Sequence, residues 1–450
     1  MTLDFANRLA VSRNTVAIAY ERLTVEGYLD SAVGSGTFVS ANAALSVNAA
    51  PSRGGRQAPV TGLKPRRERR GVLDDSEPPP GPIAFDFSMG TPDAAVFPLD
   101  TWRRSVAHAI RPAIIGTGGY RDPAGSGTLR QAIARHIGVS RSVRAGANDV
   151  LVTQGAQQAF DLVARVLIEP GDVVAVEEPG YPPVRGLFES MGARVVGVPV
   201  DAEGLVVSAI PARTKLVYIT PSHQFPLGTV MTLRRRRELL AWAGRHDAAI
   251  LEDDYDTEFR YGNRALDPLQ SLDRDGRVVY VGTFSKTMLP MIRIGFLIAP
   301  LMLQPALRRA KLLADWQGES TTQAAAAEFI DKGHLARHIR KAGREYAARR
   351  ECIVRTVRSD FADVLELFPS SAGLHVSARV IDDLVDVGQV VANAGVLGVR
   401  VQSLGRFCAE SPGVRGLALG FGTIALEDIP DGLRLLAGAI DRARAGRPAT

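Results

Sequence analysis

The chain has 450 residues, a net charge of +6, and 46% hydrophobic and 23% charged residues. This composition is typical of a globular protein with several domains and excludes a disordered or fibrous chain. Its two cysteines, Cys352 and Cys408, are too few for a disulfide framework or a cysteine-based zinc site, which favours a reducing, cytoplasmic location. Charged residues interrupt every long apolar run, so we expect no signal peptide and no membrane span.

Residues 1–40 form a small unit of their own. A helical pattern begins at Leu3, and after a short turn Ser12 is a natural N-cap for a second helix that ends at Gly27. Two short strands, Tyr28–Val33 and Thr37–Val39, then read as a hairpin. Two helices followed by a hairpin predict a winged helix-turn-helix, whose second helix enters the major groove of DNA.

The candidate DNA contacts lie in the first turn of the second helix and at the hairpin tip. They are Ser12, Arg13, Asn14, Thr15, Gly34, Ser35 and Gly36. The alternative is a small helical cap with the same periodicity and no role in DNA binding. The runs 9–16, 19–23, 26–28 and 34–39 resemble the DNA-binding unit of the GntR family of bacterial regulators. The unit of that family begins a few dozen residues earlier, so we expect this winged helix to be N-terminally incomplete.

Residues 41–82 predict a flexible linker, because they are rich in Ala, Ser, Gly and Arg and end in a proline-rich run. Arginines cluster in the linker at residues 66, 67, 69 and 70, and again at 234–237. The interpretation we favour for both clusters is a solvated linker or helix face, although a polyanion-binding patch is the alternative.

From residue 83 onward, short apolar strands alternate with helices, which predicts an α/β fold with a mostly parallel sheet covered on both faces. The predicted strands are 150–153, 173–176, 194–200, 216–219, 249–251, 278–281 and 294–298. Long helices follow from about 301 to 358, and a smaller α+β unit ends the chain. We therefore expect a body over 83–450, with a large part at about 120–320 and a small C-terminal part at about 335–450.

The stretch 279–298 reads as two apolar strands around a polar turn that carries Ser285, Lys286 and Arg293. A lysine between buried strands is costly to keep charged, which makes Lys286 a candidate for covalent chemistry. Asp253 ends an apolar strand at the edge where open α/β sheets bind ligands. An imine-forming lysine and a carboxylate for a pyridinium nitrogen are what a pyridoxal phosphate site requires.

Other acidic side chains compete for the role of Asp253. Glu252, Asp254 and Asp256 are all close enough in sequence to replace it. Clustered acids also suggest a metal site, but no histidine accompanies them at ligand spacing, so we predict no metal.

Further residues fit the rest of a cofactor. Gly155, Ala156 and Gln157 follow a strand and open a helix, so their N–H groups can hold a phosphate. Tyr181 offers a flat face for stacking on an aromatic ring. A ring hydroxyl has three candidate partners, which are Tyr255, Gln224 and His223.

Together these motifs resemble the aminotransferase class I and II fold over most of residues 85–445. The resemblance implies a fold-type-I body that binds pyridoxal 5'-phosphate, with a small C-terminal α+β subdomain. It makes Lys286 the imine lysine, Asp253 the pyridinium partner, Tyr255 a ligand of the ring hydroxyl and Tyr181 the stacking ring. It also implies a phosphate cup, whose members are Gly155, Ala156, Gln157, Ser285 and Arg293.

Two expectations that this resemblance implies concern residues outside the cup. Tyr120 is expected to reach the phosphate held by a neighbouring subunit. Arg415, with Arg406 as its rival, is expected to bind a substrate carboxylate.

A GntR-like head, a linker and an aminotransferase-like body in this order resemble the MocR subfamily of regulators. The resemblance implies a homodimer that binds double-stranded operator DNA and senses pyridoxal phosphate or its adduct with an amine or amino-acid effector. One alternative is an active aminotransferase with a remnant head. The other is a cofactor-free scaffold, which the joint retention of Lys286, Asp253, Tyr255 and Arg293 argues against.

Overall fold

The computed structural model describes residues 2–32, 36–40, 82–116, 118–262, 267–410 and 413–446. Gly34, Ser35, the arginines at 66–70 and all of the predicted linker except residue 82 lie outside the described residues. The chain divides into two compact units, residues 1–68 and 69–450, and each is taken by itself. Within the described ranges, no helix has both the length and the hydropathy needed to cross a membrane.

The first unit contains two helices followed by two antiparallel strands. The helices are Thr2–Leu9 and Arg13–Val25, and strand β1 (Leu29–Ala32) pairs antiparallel with β2 (Gly36–Val39). Ser12 caps the second helix, because its side chain accepts a hydrogen bond from the Thr15 backbone N–H at 3.1 Å.

The second unit is built on an eight-stranded sheet in the order β4-β11-β10-β9-β8-β5-β6-β7. Its strands are β4 (Val150–Thr153), β5 (Val173–Glu178), β6 (Arg194–Asp201), β7 (Gly204–Leu205), β8 (Thr214–Ile219), β9 (Ala249–Asp254), β10 (Val278–Thr283) and β11 (Gly295–Ile298). The central strands β10, β9, β8, β5 and β6 are parallel, whereas β4, β11 and β7 run antiparallel to their neighbours. All seven predicted strands of the sheet are confirmed.

Helices cover both faces of this sheet, which is why its central strands are apolar almost throughout. On β5, Val174 and Val176 pack with the helix Gly155–Leu167, while Ala175 between them packs with the helix Leu233–His246. The remaining helices of the unit are Leu99–Ala109, Pro112–Ile115, Gly127–Arg141, Pro182–Ser190, Leu269–Leu272, Gln304–Asp315, Ser320–Asp331, His334–Asp360, Val387–Val396 and Ile429–Arg444.

The arginine cluster at 234–237 is a solvated helix face only in part, because Arg234 and Arg237 are exposed and the other two arginines are not. Arg235 and Arg236 are buried on the helix Leu233–His246. Arg236 donates to the backbone carbonyls of Met231, Asp267 and Pro221 at 2.8–3.1 Å, so its donors are satisfied inside the protein.

A second core lies in the C-terminal part of the unit. Its sheet has the order β12 (Leu365–Leu367), β13 (His375–Val380), β16 (Gly416–Gly420) and β15 (Gln402–Ser403). Strand β3 (Phe85–Asp86) pairs in parallel with β14 (Val399–Arg400), and Phe87 is buried in the same core. The chain around residues 85–87 therefore packs with the C-terminal part, far from its place in the sequence.

Candidate functional site

A cavity of about 470 Å³ lies where β5, β8, β9 and β10 end. Its walls include Tyr181 after β5, Thr220 after β8, Asp253 on β9 and Thr283 on β10. The carboxyl ends of parallel strands are the place where open α/β sheets bind ligands. The cavity therefore brings together most of the residues that the sequence selects.

Lys286 lies in the turn after β10 and lines this cavity. Its Nζ donates a hydrogen bond to the backbone carbonyl of Gly90. Burial lowers the pKa of Lys286, and the nearby carboxylates of Asp256 and Asp253 only partly offset that effect. A lowered pKa increases the neutral fraction of the amine, which is the form that attacks a carbonyl carbon.

Asp253 presents one unpaired oxygen in the cavity wall. Tyr218 donates its hydroxyl proton to Asp253 Oδ2 at 2.7 Å, whereas the buried Oδ1 has no hydrogen-bond partner. Burial raises the pKa of Asp253 to about 7. A buried carboxylate oxygen without a partner calls for a donor, and the N–H of a pyridinium ring supplies one.

The competing carboxylates are mostly engaged elsewhere. Glu252 accepts the backbone N–H groups of Leu269 and Gln270 at 2.8 and 2.9 Å. Burial opposes ionisation of Asp254, but the charge of Arg141 and the hydrogen bonds from Thr257, Tyr280 and Arg141 together outweigh it and lower the pKa of that carboxyl. This arrangement favours Asp253 over both of its sequence neighbours.

The end of the cavity near the helix Gly155–Leu167 fits a phosphate. Ala156, Gln157, Ser285 and Arg293 line it, and Arg293 Nη2 donates to the carbonyl of Gln154 at 2.8 Å. Gly155 has φ +74°, and a Cβ atom built on it would lie 2.6 Å from Arg293 Nη2. Only glycine therefore allows the N-terminus of the helix and the guanidinium of Arg293 to approach so closely. The helix N-terminus and the guanidinium both favour the binding of an anion.

Two tyrosines supply the aromatic walls. The ring of Tyr181 lines the cavity and packs edge-on against Phe225, with ring centroids 5.5 Å apart. The hydroxyl of Tyr255 lies 3.0 Å from His223 Nδ1. Burial raises the pKa of both tyrosines, so each keeps its proton near neutral pH.

Gln224 does not line the cavity, which corrects its assignment as a cofactor ligand. Its amide donates to the carbonyls of Pro179 and Phe225 at 2.8 and 2.6 Å, and its oxygen accepts the Leu227 N–H at 3.1 Å. Gln224 therefore holds the loop after β8 in place.

Arg415 also lies away from the cavity, contrary to expectation. Its Nη1 is 2.6 Å from Asp383 Oδ1, and its Nη2 donates to two backbone carbonyls. The register explains the error, because β16 pairs Gly416 with Arg379 and Gly420 with His375. Only the His375 end of this pair of strands faces the cavity, and Arg415 precedes the opposite end.

Neither Arg406 nor Tyr120 lines the cavity of its own chain. The guanidinium of Arg406 lies over the Phe407 ring, 5.6 Å from the centroid. The side chain of Tyr120 is 81% exposed, and its ring lies 5.0 Å from that of Trp316.

A cluster that the sequence analysis missed lies beside Tyr255. His223, Asp256 and His375 are buried, and one polar atom from each lies within 4.8 Å of the others. No histidine accompanies Asp256 at ligand spacing in the sequence, but the fold brings His223 and His375 close to it. His223 is a sequence candidate, but nothing in the linear pattern connects it with His375.

Similarity to known proteins extends over nearly the whole chain. The aminotransferase class I and II family matches residues 84–411. The probable rhizopine catabolism regulatory protein MocR of Rhizobium meliloti is 37% identical over 440 residues, covering 97% of this chain and 88% of that protein. The chain belongs to the MocR subfamily of regulators.

Two further similarities fit this assignment. The pyridoxine biosynthesis transcriptional regulator PdxR of Corynebacterium glutamicum is 32% identical over 426 residues, covering 93% of this chain and 86% of that protein. The solved structure of the α-aminoadipate aminotransferase LysN of Thermus thermophilus, complexed with N-(5'-phosphopyridoxyl)-L-leucine, matches with a TM-score of 0.73 at 26% identity. The match covers 80% of this chain and 93% of that chain.

The body of this MocR-subfamily protein binds pyridoxal phosphate. The cavity fits that group, because the unpaired Asp253 oxygen, the Lys286 amine and the glycine at the helix start match its ring nitrogen, aldehyde and phosphate. When bound, pyridoxal phosphate supplies an electrophilic carbonyl carbon and a ring that withdraws electrons.

Proposed function

We propose that this protein is a transcription regulator that binds double-stranded operator DNA through its helix-turn-helix head. Its body reads pyridoxal phosphate, alone or joined to an amine or amino-acid effector. The observation that carries the proposal is that the 37% identity to a regulatory protein covers 97% of the chain, head and body alike. An aminotransferase has no evident use for such a head.

In the body, the proposal assigns a role to each group at the cavity. Lys286 attaches the cofactor covalently, Asp253 holds its ring nitrogen, Tyr255 donates to its ring hydroxyl and Tyr181 stacks on the ring. The phosphate is held by the helix start and the turn after β10, through Gly155, Ala156, Gln157, Ser285 and Arg293. Support comes from the fact that all of these residues except Gly155 line one cavity, while Gly155 opens the helix that carries Ala156 and Gln157.

In the head, the first turn of the helix Arg13–Val25 is the proposed contact with base edges. Arg13, Asn14 and Thr15 are all exposed there, while Val16 is buried against the rest of the unit. Gly36 begins β2 next to the predicted tip of the wing. An exposed polar first turn is what insertion of a helix into a major groove requires.

The proposed assembly is a homodimer in which each chain lends Tyr120 to the other. The ring of Tyr120 is exposed and does not line the cavity of its own chain, which supports this assignment.

The test of the regulator function is a mobility-shift titration on the DNA upstream of this protein's own gene, with and without pyridoxal phosphate. We expect the cofactor to change the affinity. Arg13→Ala should weaken binding by roughly 1–3 kcal/mol if the side chain contacts a base. The matched control is Arg22→Ala, because Arg22 lies in the last turn of the same helix and pairs with Glu26 at 2.8 Å.

Retained catalysis is the second candidate function, and the lowered pKa of Lys286 beside Asp253 is the observation that favours it. Incubation with amino and keto acids distinguishes the two functions. Sustained multiple turnovers together with cofactor-independent DNA binding would contradict the regulator proposal. Cofactor-dependent DNA binding without turnover would support it.

A further inference from the structure

Beside the cavity, His223 and Asp256 form a buried pair to which the proposed function gives no role. His223 Nδ1 lies 2.9 Å from Asp256 Oδ1 and 3.0 Å from the hydroxyl oxygen of Tyr255. The two side chains are 0% and 2% exposed. A buried polar pair this close to a cofactor ligand affects how that ligand can use its proton.

The hydrogen-bond partners of His223 determine where its protons lie. His223 Nε2 is 3.1 Å from Ser370 Oγ, which itself donates to the carbonyl of Ala372 at 3.2 Å. Because a serine has one proton to donate, Nε2 accepts it or, when that proton goes to the Ala372 carbonyl, donates its own proton to Ser370 Oγ. In the first case a neutral His223 carries its proton on Nδ1 and donates it to Asp256. In the second case a neutral His223 would direct the bare lone pair of Nδ1 at the carboxylate of Asp256.

That neutral arrangement leaves an excess of acceptors. Asp256 Oδ1 and Oδ2 lie 2.9 and 3.1 Å from Nδ1, and the hydroxyl of Tyr255 is the other group that the described residues bring within hydrogen-bond distance of Nδ1. A second proton on Nδ1 removes the repulsion and creates a charge-assisted hydrogen bond to Asp256. His375 does not supply a competing charge, because burial lowers its pKa to about 4.

We propose that the His223–Asp256 pair positions the hydroxyl proton of Tyr255. With Nδ1 protonated, His223 cannot accept the Tyr255 proton, so that proton turns into the cavity, toward the ring oxygen of pyridoxal phosphate. His223 and Asp256 are thus positioning residues that act through Tyr255. The inference rests on the proposed role of Tyr255.

The surrounding chain is shaped to hold this pair. Gly373 has φ +83°, and a Cβ atom built on it would lie 2.3 Å from His223 Cε1 and 2.4 Å from Asp256 Oδ2. The stretch from Ser370 to Gly373 is therefore closely packed on the pair. The titratable groups that interact with it are Tyr255, His375, Lys286, Asp253, Glu258 and Tyr261.

The experiment is a pH titration of the absorbance of the bound cofactor in the full chain loaded with pyridoxal phosphate. Tyr255→Phe should shift the apparent pKa of the cofactor by about one unit, the worth of one hydrogen bond. His223→Asn should shift it in the same direction by about half as much or more. In the Tyr255→Phe background, His223→Asn should add almost nothing, because its effect passes through the missing hydroxyl.

Two further variants complete the series. Asp256→Asn should repeat the His223→Asn result, and it keeps the test open if His223→Asn fails to fold. His246→Asn is the control, because its ring stacks on Trp242 and does not line the cavity, and it should leave the titration unchanged.

Each outcome decides a separate point. Equal shifts from His223→Asn with and without the Tyr255 hydroxyl would overturn the positioning role, as would no shift from His223→Asn when Tyr255→Phe does shift. No shift from Tyr255→Phe would refute the role of Tyr255 itself, and the inference with it. About one equivalent of zinc in the purified protein would also overturn it, since a metal ion at His223, Asp256 and His375 satisfies the same lone pairs.

Discussion

Burial and nearby negative charge have opposite effects on the pKa of the Lys286 amine. Burial lowers its pKa, and the carboxylates of Asp256 and Asp253 keep it from falling further. We predict that Lys286→Ala abolishes the covalent adduct trapped when the loaded protein is reduced with borohydride, as measured by intact mass. Lys341→Ala removes an exposed lysine and should leave the adduct intact. An undiminished adduct in Lys286→Ala would assign the attachment to another residue.

Asp253 is predicted to make the cofactor-free protein less stable as pH rises. Its folded pKa of about 7 exceeds the ordinary 3.8, mainly because of burial. Between these values the unfolded carboxyl loses its proton while the folded one keeps it, so this group lowers the free energy of unfolding from about pH 4 to pH 7. Asp253→Asn should therefore gain stability relative to the wild type between pH 5 and 8, on the order of 2–3 kcal/mol.

Urea denaturation of both cofactor-free proteins across that range measures the difference. A difference that stays constant with pH would show that Asp253 ionises normally in the folded protein.

Individual site residues could be predicted from the sequence where a local strand pattern determines their position. Lys286 and Asp253 stand at the ends of recognisable apolar strands, so their position at the cavity follows from the strand pattern. The prediction for Arg415 was wrong because the apolar pattern of β16 does not show which end of the strand faces the cavity. Only the pairing of β16 with β13 shows this. The contact between Asp256 and His375 joins distant parts of the chain, which no local pattern encodes.

The turn from β4 into the helix Gly155–Leu167 combines a strained backbone with a close approach to Arg293. We predict that Gly155→Ala weakens pyridoxal phosphate binding at least tenfold, because the added Cβ would displace the guanidinium from its position 2.6 Å away. Gly333→Ala is the matched control, since Gly333 has a similar φ of +68° but no atom within 4 Å of an added Cβ.

Both substitutions should cost about 1 kcal/mol of folding stability through the backbone. Only Gly155→Ala should change the dissociation constant measured by fluorescence titration. Equal losses of affinity in both variants would mean that backbone strain, and not the contact with Arg293, is responsible.

Whole elements were predictable when they are long and apolar. All seven strands predicted for the large sheet are present. Their order in the sheet could not be predicted, because strands that follow one another in sequence are not always neighbours in the sheet. The two-residue strands β3, β7 and β15 carry too little pattern to be seen in a sequence. Burial of Arg236 was also hidden, because only the folded chain supplies the three carbonyls that it needs.

At the scale of the whole molecule, the site is proposed to need two chains. Tyr120 does not line the cavity of its own chain and is exposed, and we propose that a partner chain brings this hydroxyl to the phosphate end of the cavity. A mixed dimer tests this directly. One chain carries Tyr120→Ala and keeps Lys286, and the other carries Lys286→Ala and keeps Tyr120.

If Tyr120 acts across the dimer, the site of the first chain receives an intact Tyr120 from its partner and has its own lysine. That single site should bind pyridoxal phosphate covalently with wild-type affinity, while both homodimers are impaired. If Tyr120 acts within its own chain, no site in the mixed dimer is complete, and its affinity should equal that of the Tyr120→Ala homodimer. Cofactor titration of affinity-tagged mixed dimers, purified through two different tags, separates these results. The same purification tests the dimer itself, because a monomeric protein would yield no doubly tagged species.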